Sequence, residues 1–146
     1  MTPRHPCLSV LVVDDSAIVR QRLREFLVET CQLQHVREAA NGTEAWALFK
    51  QLRPDAVLLD IHLPDNRGFE LLCRIKGAAP SCPVIVLTNV RESVFRHETE
   101  RRGADHFLHK ATEFEHVAEL LHRYAARSVD ATSKSETEEA ADPFLP

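Results

Sequence analysis

Polar side chains follow four of the apolar runs in this sequence, at the point where each run ends. The run LSVLVV is followed by Asp14 and Asp15, DAVLL by Asp60 and HFLH by Lys110, while PVIVLT ends in Thr88. Adjacent carboxylates repel each other and resist removal from water, so a strand that ends on two of them needs solvent or a cation. Carboxylate oxygens are ligands that suit a hard divalent cation such as Mg²⁺ or Mn²⁺.

These five side chains together predict phosphoryl-transfer chemistry. A carboxylate beside a bound cation can attack a phosphoryl group while the cation and a lysine neutralise the phosphoryl oxygens. A threonine hydroxyl can then hydrogen-bond one of these oxygens. Each residue also has a structural interpretation: the acids as solvated strand ends, Thr88 as a β-former and Lys110 as a surface cation. The combination of all five favours the chemical interpretation.

Alternating strand and helix patterns must position these side chains. Apolar runs predict strands at 8–13, 35–39, 55–60, 83–88 and 105–109, and helical spacing predicts helices near 16–29, 43–51, 66–76, 91–102 and 112–126. Three of the runs are almost continuously Val, Ile and Leu, which is typical of parallel strands buried on both faces. The alternation therefore predicts an α/β domain with a parallel sheet. The carboxyl ends of such strands share one edge, where we expect the polar side chains to converge.

Capping residues and apolar spacing indicate where the helices end and which faces they bury. Ser16 is the expected N-cap of the first helix, and Gly103 the C-cap of the fourth. The expected inner residues are Val19, Leu23, Phe26 and Leu27 on the first helix, and Phe69, Leu72, Cys73 and Ile75 or Lys76 on the third.

The composition is that of one ordinary globular domain. The chain has 146 residues, of which 44% are hydrophobic and 27% charged, and its net charge of −4 offers no electrostatic footprint for nucleic acid. No apolar run approaches the roughly 20 residues that span a bilayer, and the first residues show no signal-peptide pattern. The four cysteines form no CxxC pair, so we expect reduced thiols, three of them buried. These features predict a cytoplasmic protein without membrane insertion.

Four motifs in order closely resemble the receiver domain of two-component response regulators. They are VLVVDDS, DAVLLDIHLPDNRGFELL, PVIVLTN and GADHFLHKATEF. The resemblance implies a flavodoxin-like, doubly wound sheet of five parallel strands in the order 2-1-3-4-5, with five helices. The match spans residues 8–126 as the receiver domain and leaves an N-terminal arm (1–7) and a tail (127–146). The tail is acidic and nearly free of large apolar side chains, so we expect it to be disordered. It also implies transfer of a phosphoryl group from a phosphohistidine to an aspartate.

The resemblance assigns the metal and acceptor roles to four residues. Asp60 is the expected phosphoacceptor and also a ligand of Mg²⁺ (or Mn²⁺). Asp15 is expected to bind the metal directly, and Asp14 mainly through water. The backbone carbonyl of His62 completes the implied ligand set.

The resemblance also assigns roles around the phosphoryl group. Lys110 would pair with the phosphate and Thr88 would turn inward to it, so that the aromatic Phe107 fills the vacated space. Phe107 as plain core is the alternative.

Three positions beside the acceptor are expected to modulate the lifetime of the phosphoryl group. They are His62, Asn89 and Val90. Pro64 and Gly68 are expected only to shape the loop after Asp60.

One position departs from the family pattern. Ala111 follows Lys110 where the family usually has a proline joined by a cis peptide. A cis bond before a non-proline residue costs about 2.5–4 kcal/mol. The loop is either cis under strain or rearranged around a trans bond; we favour the trans bond, with Thr112 as an N-cap.

The leading hypothesis is a single-domain response regulator that receives its phosphoryl group from a histidine kinase or a histidine phosphotransfer protein. About 20 residues follow position 126, so we expect output through protein–protein contacts of the receiver surface or the tail, and a homodimer is a further option. The charged fourth helix is either a solvated face or a partner surface. The terminal PFLP is either inert or a docking motif.

Three rival interpretations are weaker. A phosphorylation-independent adaptor would not need the intact acid, threonine and lysine positions. A phosphatase with an aspartyl nucleophile would usually carry a second acid at position 62, where this chain has His62. A transition-metal site is disfavoured because His106 and His109, three apart on a strand, point to opposite faces.

Overall fold

Strands and helices alternate along the chain in the computed structural model, which describes residues 8–89, 93–110 and 115–125. The strands are β1 (Ser9–Val13), β2 (His35–Ala39), β3 (Ala56–Leu59), β4 (Val84–Thr88) and β5 (His106–His109). The helices are α1 (Ala17–Glu29), α2 (Gly42–Leu52), α3 (Gly68–Ala78) and α4 (Ser93–Arg101), and residues 116–125 form α5. The strands and α1–α4 begin and end within two residues of the predicted bounds. The arm 1–7, the tail 127–146, Val90, Ala111 and Thr112 lie outside the described residues, so the predictions about them stay predictions.

The five strands form one parallel sheet in the order β2-β1-β3-β4-β5. The central strands β1, β3 and β4 are buried almost throughout, which explains their runs of Val, Ile and Leu. Helices cover both faces. Leu27 of α1 packs with Leu121 of α5 in one core cluster, and Phe49 of α2 packs with Ile75 of α3 in the other. This arrangement confirms the predicted doubly wound fold.

The helices begin and end close to the expected caps. The hydroxyl of Ser16 accepts a hydrogen bond from the Val19 amide at 3.2 Å, which confirms Ser16 as the N-cap of α1. Gly103 follows α4 in the left-handed region, with φ of 103°, as expected of a residue that ends a helix. In the part of the chain that the structure describes, no helix is both long and apolar enough to cross a lipid bilayer.

The predicted inner face of α3 was wrong at one residue. Cys73 is exposed, whereas Leu71, Leu72 and Ile75 are buried. These three residues and Gly68 recur at intervals of three and four residues, so they share one helix face and Cys73 lies on the opposite side.

Cys31 and Cys82 are buried free thiols, and burial raises the pKa of each to about 11.

Candidate functional site

Three carboxylates converge at the carboxyl edge of the sheet. Asp14 follows β1 and Asp60 follows β3, and these strands are neighbours whose last residues, Val13 and Leu59, are paired in register. Asp14, Asp15 and Asp60 therefore each present a carboxylate oxygen within 4.8 Å of the others. Asp14 and Asp60 are buried, whereas Asp15 is exposed. The parallel sheet produces this cluster because it brings the ends of β1 and β3 to the same place.

Asp14 is held at its backbone and at its side chain. Its amide donates to the carbonyl of Ala39 at 3.0 Å, and its Oδ1 accepts from the Ser16 amide at 2.9 Å. The guanidinium of Arg20 donates to the Asp14 carbonyl at 2.6 Å. Sequence reasoning missed Arg20, although its place in the first turn of the helix that follows the acids was a signal.

Asp60 is fixed by partners from three sides. Its amide donates to the carbonyl of Val13 at 2.9 Å, so the neighbouring strand sets its backbone. Its Oδ1 accepts from the His62 amide at 3.0 Å, and its Oδ2 accepts from Lys110 Nζ at 2.9 Å. Burial raises the pKa of the Asp60 carboxyl, and the hydrogen bonds from His62 and Lys110 offset only part of this rise.

Lys110 is the cation that joins two of the acids. Its ammonium contacts both Asp14 and Asp60, and its own amide donates to the Thr88 carbonyl at 2.9 Å. Burial disfavours the charged ammonium, but the hydrogen bonds to Asp14 and Asp60 outweigh burial and raise the pKa of Lys110. Lys110 is thus a permanent counter-charge to the cluster.

Thr88 and Phe107 lie on neighbouring strands, two register positions apart. β4 pairs with β5 so that Thr88 is opposite His109 and Val86 is opposite Phe107. Thr88 is buried, and Phe107 is buried in the core cluster that also contains Val86. The guanidinium of Arg96 on α4 lies 5.1 Å from the centroid of the Phe107 ring.

The other predicted residues lie at the rim of the site. His62 and Asn89 are both exposed, His62 two residues after Asp60 and Asn89 directly after Thr88. Nε2 of His109 is 3.0 Å from the Asn89 carbonyl oxygen. The structure therefore places His62 on the loop after β3 and Asn89 on the loop after β4.

Two further contacts shape the loop after Asp60. Gly68 packs so tightly on the backbone of Ile61 that a Cβ atom there would lie 1.9 Å from the Ile61 carbonyl oxygen. The carboxylate of Asp65 accepts hydrogen bonds from the amides of Gly42 and Thr43 at 3.3 and 3.2 Å, at the N-terminus of α2. Partial burial alone would raise the pKa of the Asp65 carboxyl, but these hydrogen bonds stabilise the carboxylate more strongly, so its pKa is lowered. Sequence reasoning missed Asp65, whose role depends on where α2 begins in space.

The donor set fits a hard divalent cation. Three carboxylates and one lysine leave the cluster with an excess of negative charge, and carboxylate oxygens are preferred ligands of Mg²⁺, Mn²⁺ and Ca²⁺. Asp15 is exposed, so the cluster can be reached from solvent. The arrangement can therefore bind a cation beside a buried, oriented carboxylate.

A model of the response regulator receiver domain matches residues 10–122 of the sequence. The chain belongs to this receiver family. The family functions in two-component signalling. Membership of this family does not favour the rival hypothesis of a phosphorylation-independent adaptor. A receiver domain is not an enzyme in the usual sense.

Two relatives and one solved structure show how far the likeness extends. The chemotaxis protein CheY of Listeria monocytogenes is 31% identical over 118 residues, which cover 81% of this chain and 98% of CheY. The transcriptional regulatory protein LnrK of Bacillus subtilis is 35% identical over 103 residues, which cover 70% of this chain and 47% of LnrK. The receiver chain thus spans about half the length of LnrK. The crystal structure of a CheY-like receiver domain protein from Methanospirillum hungatei shares the fold, with a TM-score of 0.76 at 22% identity, covering 85% of this chain and 98% of that one.

Proposed function

We propose that Asp60 of this receiver domain accepts a phosphoryl group from the phosphohistidine of a histidine kinase or a histidine phosphotransfer protein. The observation that supports this proposal is the cluster of Asp14, Asp15 and Asp60, whose carboxylate oxygens lie within 4.8 Å of one another. Lys110 forms ion pairs with Asp14 and Asp60. A carboxylate oxygen of Asp60 forms the new O–P bond as the P–N bond of the donor breaks. The electron pair of that bond stays on the imidazole nitrogen.

The cation that supports this reaction is proposed to be Mg²⁺ (or Mn²⁺). When bound, it supplies positive charge to the oxygens of the transferring phosphoryl group. Asp15 and Asp60 would hold it directly, Asp14 through water, and His62 through its backbone carbonyl. The amide of His62 already orients the Asp60 carboxylate at 3.0 Å, so this short segment serves both the acceptor and the cation.

Lys110 and Thr88 are proposed to bind the phosphoryl oxygens after transfer. Lys110 already contacts Asp60 at 2.9 Å and needs no long movement to reach a group attached there. The Thr88 side chain turns toward the new oxygens. Phe107 on the neighbouring strand then moves into the space that Thr88 leaves, which changes the surface near α4. Thr88 and Phe107 are both buried, on neighbouring strands and two register positions apart, which supports this coupling.

Three residues are proposed to set how long the phosphoryl group survives. His62 and Asn89 are exposed beside the acceptor and Thr88, where their side chains can influence the approach of water; Val90 is included on sequence grounds. The measurement is the dephosphorylation rate of His62→Ala, Asn89→Ala and Val90→Ala against the parent. Unchanged rates in all three would contradict the proposal.

The output is proposed to be a protein–protein contact, or a homodimer, made by the receiver surface. We place it in the cytoplasm, and the free thiols Cys31, Cys73 and Cys82 fit that reducing compartment. The protein catalyses only its own phosphorylation and a slow autodephosphorylation. The domain division into arm 1–7, receiver 8–126 and tail 127–146 is part of the same proposal.

The test is labelling by a small phosphodonor such as acetyl phosphate. With Mg²⁺ the parent should form an acid-stable, base-labile acyl phosphate, and Asp60→Asn should form none. Asp55→Asn is the matched control, because Asp55 is an exposed aspartate at the opposite end of β3. Absence of label on the parent would favour an adaptor, and repeated turnover of unrelated phosphate esters would favour a phosphatase.

A further inference from the structure

Arg20 holds the peptide group that joins Asp14 to Asp15 through a hydrogen bond to its carbonyl oxygen. Arg20 Nη1 donates to the oxygen of this peptide group at 2.6 Å. The Asp14 amide on one side donates to Ala39 at 3.0 Å, and the Ser16 amide on the other donates to the Asp14 carboxylate at 2.9 Å. Rotation of this peptide plane would swing Asp15 relative to Asp14. The contact from Arg20 opposes that rotation.

Arg20 is itself fixed by a carboxylate on the neighbouring strand. Its Nε lies 3.1 Å from Glu38 on β2, and its side chain is only 18% exposed. A guanidinium with two nitrogens held at different acceptors keeps one geometry, which a flexible ammonium does not. The chain from Glu38 to Arg20 to the Asp14 carbonyl therefore connects β2 to the turn that carries both acids.

We propose that Arg20 is a positioning residue that sets the affinity of the acid cluster for Mg²⁺ by fixing the Asp14–Asp15 peptide plane. In this role Arg20 would act through the Asp14 carbonyl and would touch neither the cation nor the phosphoryl group. The inference rests on the proposed function, because it takes Asp14, Asp15 and Asp60 as the cation site. Outer partners that orient a ligand commonly change metal affinity by about 10–100-fold when they are removed.

If Arg20 acted only through its charge, its removal would tighten Mg²⁺ binding instead of weakening it. Arg20 and Arg24 both pair with Glu38, so one positive charge remains uncompensated behind the acids. Removal of a nearby cation strengthens the attraction of the cluster for Mg²⁺. A weaker Mg²⁺ affinity without Arg20 is therefore a signature of positioning, and a tighter affinity is a signature of charge.

Arg24 provides a matched control one helical turn further along α1. It pairs with Glu38 at 3.3 Å and donates to the Val36 carbonyl at 2.8 Å, so it also ties α1 to β2. The structure gives it no hydrogen bond to Asp14. Arg24→Met thus removes a cation and a contact to β2 while leaving the Asp14–Asp15 peptide held.

The experiment is a calorimetric Mg²⁺ titration of the full chain and its variants. Arg20→Met should weaken Mg²⁺ binding by at least about tenfold. Arg24→Met should leave Mg²⁺ binding within about twofold of the parent, or tighten it, as expected of a charge on a side chain that is 47% exposed. At saturating Mg²⁺ the rate of phosphorylation of Arg20→Met should return to near the parental rate, because no group that contacts the phosphoryl group has been removed.

Other outcomes separate the failure of this inference from that of the proposed function. Parental affinity in Arg20→Met, or an equal loss in Arg24→Met, would overturn the positioning role alone. No Mg²⁺ binding by the parent would overturn the cation site of the proposed function. If Arg20→Met does not fold, Arg20→Lys decides: it keeps the charge but has one nitrogen for two acceptors, so unchanged affinity would overturn the inference and weakened affinity would support it.

Discussion

Carboxylates stand at both ends of the sheet, and the two ends use them differently. At the amino end, Asp55 accepts from the Ser9 amide at 2.8 Å, and Asp105 accepts from the Val84 amide at 2.8 Å and pairs with Lys76 at 2.8 Å. Each of these acids is exposed and joins the start of its own strand to a neighbour. At the carboxyl end, three acids share one small volume.

The difference lies in the balance of charge rather than in the presence of acids. Asp55 and Asp105 lie apart and hold backbone amides, so their charges cost little and stabilise strand pairing. Asp14 and Asp60 are buried beside Asp15, with Lys110 as the ammonium between them. Buried like charges destabilise a fold unless a cation compensates them. An excess of buried acid over its compensating cations therefore distinguishes a functional edge from a structural one.

Removal of the lysine should show the largest contrast between the two ends. Lys110 and Lys76 are matched, since their side chains are 14% and 15% exposed. Lys110→Ala leaves two buried acids without their cation, so we expect a loss of about 3 kcal/mol in the free energy of unfolding without metal. Lys76→Ala leaves one exposed acid and should cost about 1 kcal/mol. Urea unfolding measures both.

Magnesium supplies the control for this pair. It should recover part of the stability lost in Lys110→Ala, because it brings positive charge to the acids, and it should not change the loss in Lys76→Ala. Equal losses that Mg²⁺ does not affect would show that the two ends are alike, contrary to our account.

The exposed acid of the cluster should control the response to metal. If Mg²⁺ binds only the folded parent, a concentration one hundred times its Kd stabilises the fold by about 2.7 kcal/mol. Asp15→Ala should abolish the rise in Tm that this causes, whereas Asp55→Ala at the other end of the sheet should retain it. Thermal denaturation with and without Mg²⁺ is the measurement. A full rise in Asp15→Ala would remove Asp15 from the ligand set.

The two glycines of α3 extend the comparison to packing. Gly68 lies against the backbone of Ile61, next to Asp60, and a Cβ atom there would be 1.9 Å from an oxygen; at Gly77 a Cβ atom would meet nothing within 4 Å. We expect Gly68→Ala to cost about 1–3 kcal/mol and to slow phosphorylation by displacing the acceptor loop. Gly77→Ala should stabilise the helix by up to about 1 kcal/mol. Chemical denaturation and labelling rates measure these effects, and a harmless Gly68→Ala would contradict the tight packing.

Neutralising one acid at each end of the sheet should change the free energy of unfolding by small amounts of opposite sign, with a gain for Asp60→Asn and a loss for Asp105→Asn. Burial raises the pKa of Asp60, so its ionised form is less favourable in the folded state. The stability of the parent without metal should thus fall as pH rises through that raised pKa. Asp60→Asn has no carboxyl group to ionise at this position, so it should be more stable than the parent by roughly 1 kcal/mol at neutral pH, with the difference shrinking in acid.

Asp105→Asn is the counterpart at the amino end. It weakens the charge-assisted contact with Lys76 and should lower the free energy of unfolding by about 1 kcal/mol. Unfolding curves across a pH series compare the two variants. A destabilised Asp60→Asn would contradict the view that the acids at the carboxyl edge are in excess.

The sequence was most informative where one physical rule dominates. Runs of Val, Ile and Leu located β1, β3 and β4 to within a residue, because only strands buried on both faces need continuous apolar side chains. The parallel sheet then brought together Asp14, Asp15 and Asp60, as expected from the shared edge of strand ends. The position of Lys110 on two of these acids follows from the same rule.

Predictions were weaker where contacts depend on how elements pack in three dimensions. Arg20 donates to the backbone carbonyl of Asp14, and Asp65 accepts from a backbone amide at the start of α2. Neither contact leaves a periodic signal in the sequence. The error at Cys73 has a related cause. Leu71, Leu72 and Cys73 are three successive apolar residues, so the apolar pattern alone did not fix the rotation of α3 about its axis.

The most direct test of the account is to map the phosphoryl group itself. The full chain is incubated with a small phosphodonor and Mg²⁺, reduced with borohydride to convert the acyl phosphate to a stable alcohol, and digested for mass spectrometry. We predict one modified residue, Asp60, and no modification when Mg²⁺ is removed by a chelator. Modification at Asp55 or Asp105, or equal modification of Asp60 without a divalent cation, would contradict the claim that the acid cluster is a cation-dependent phosphoacceptor.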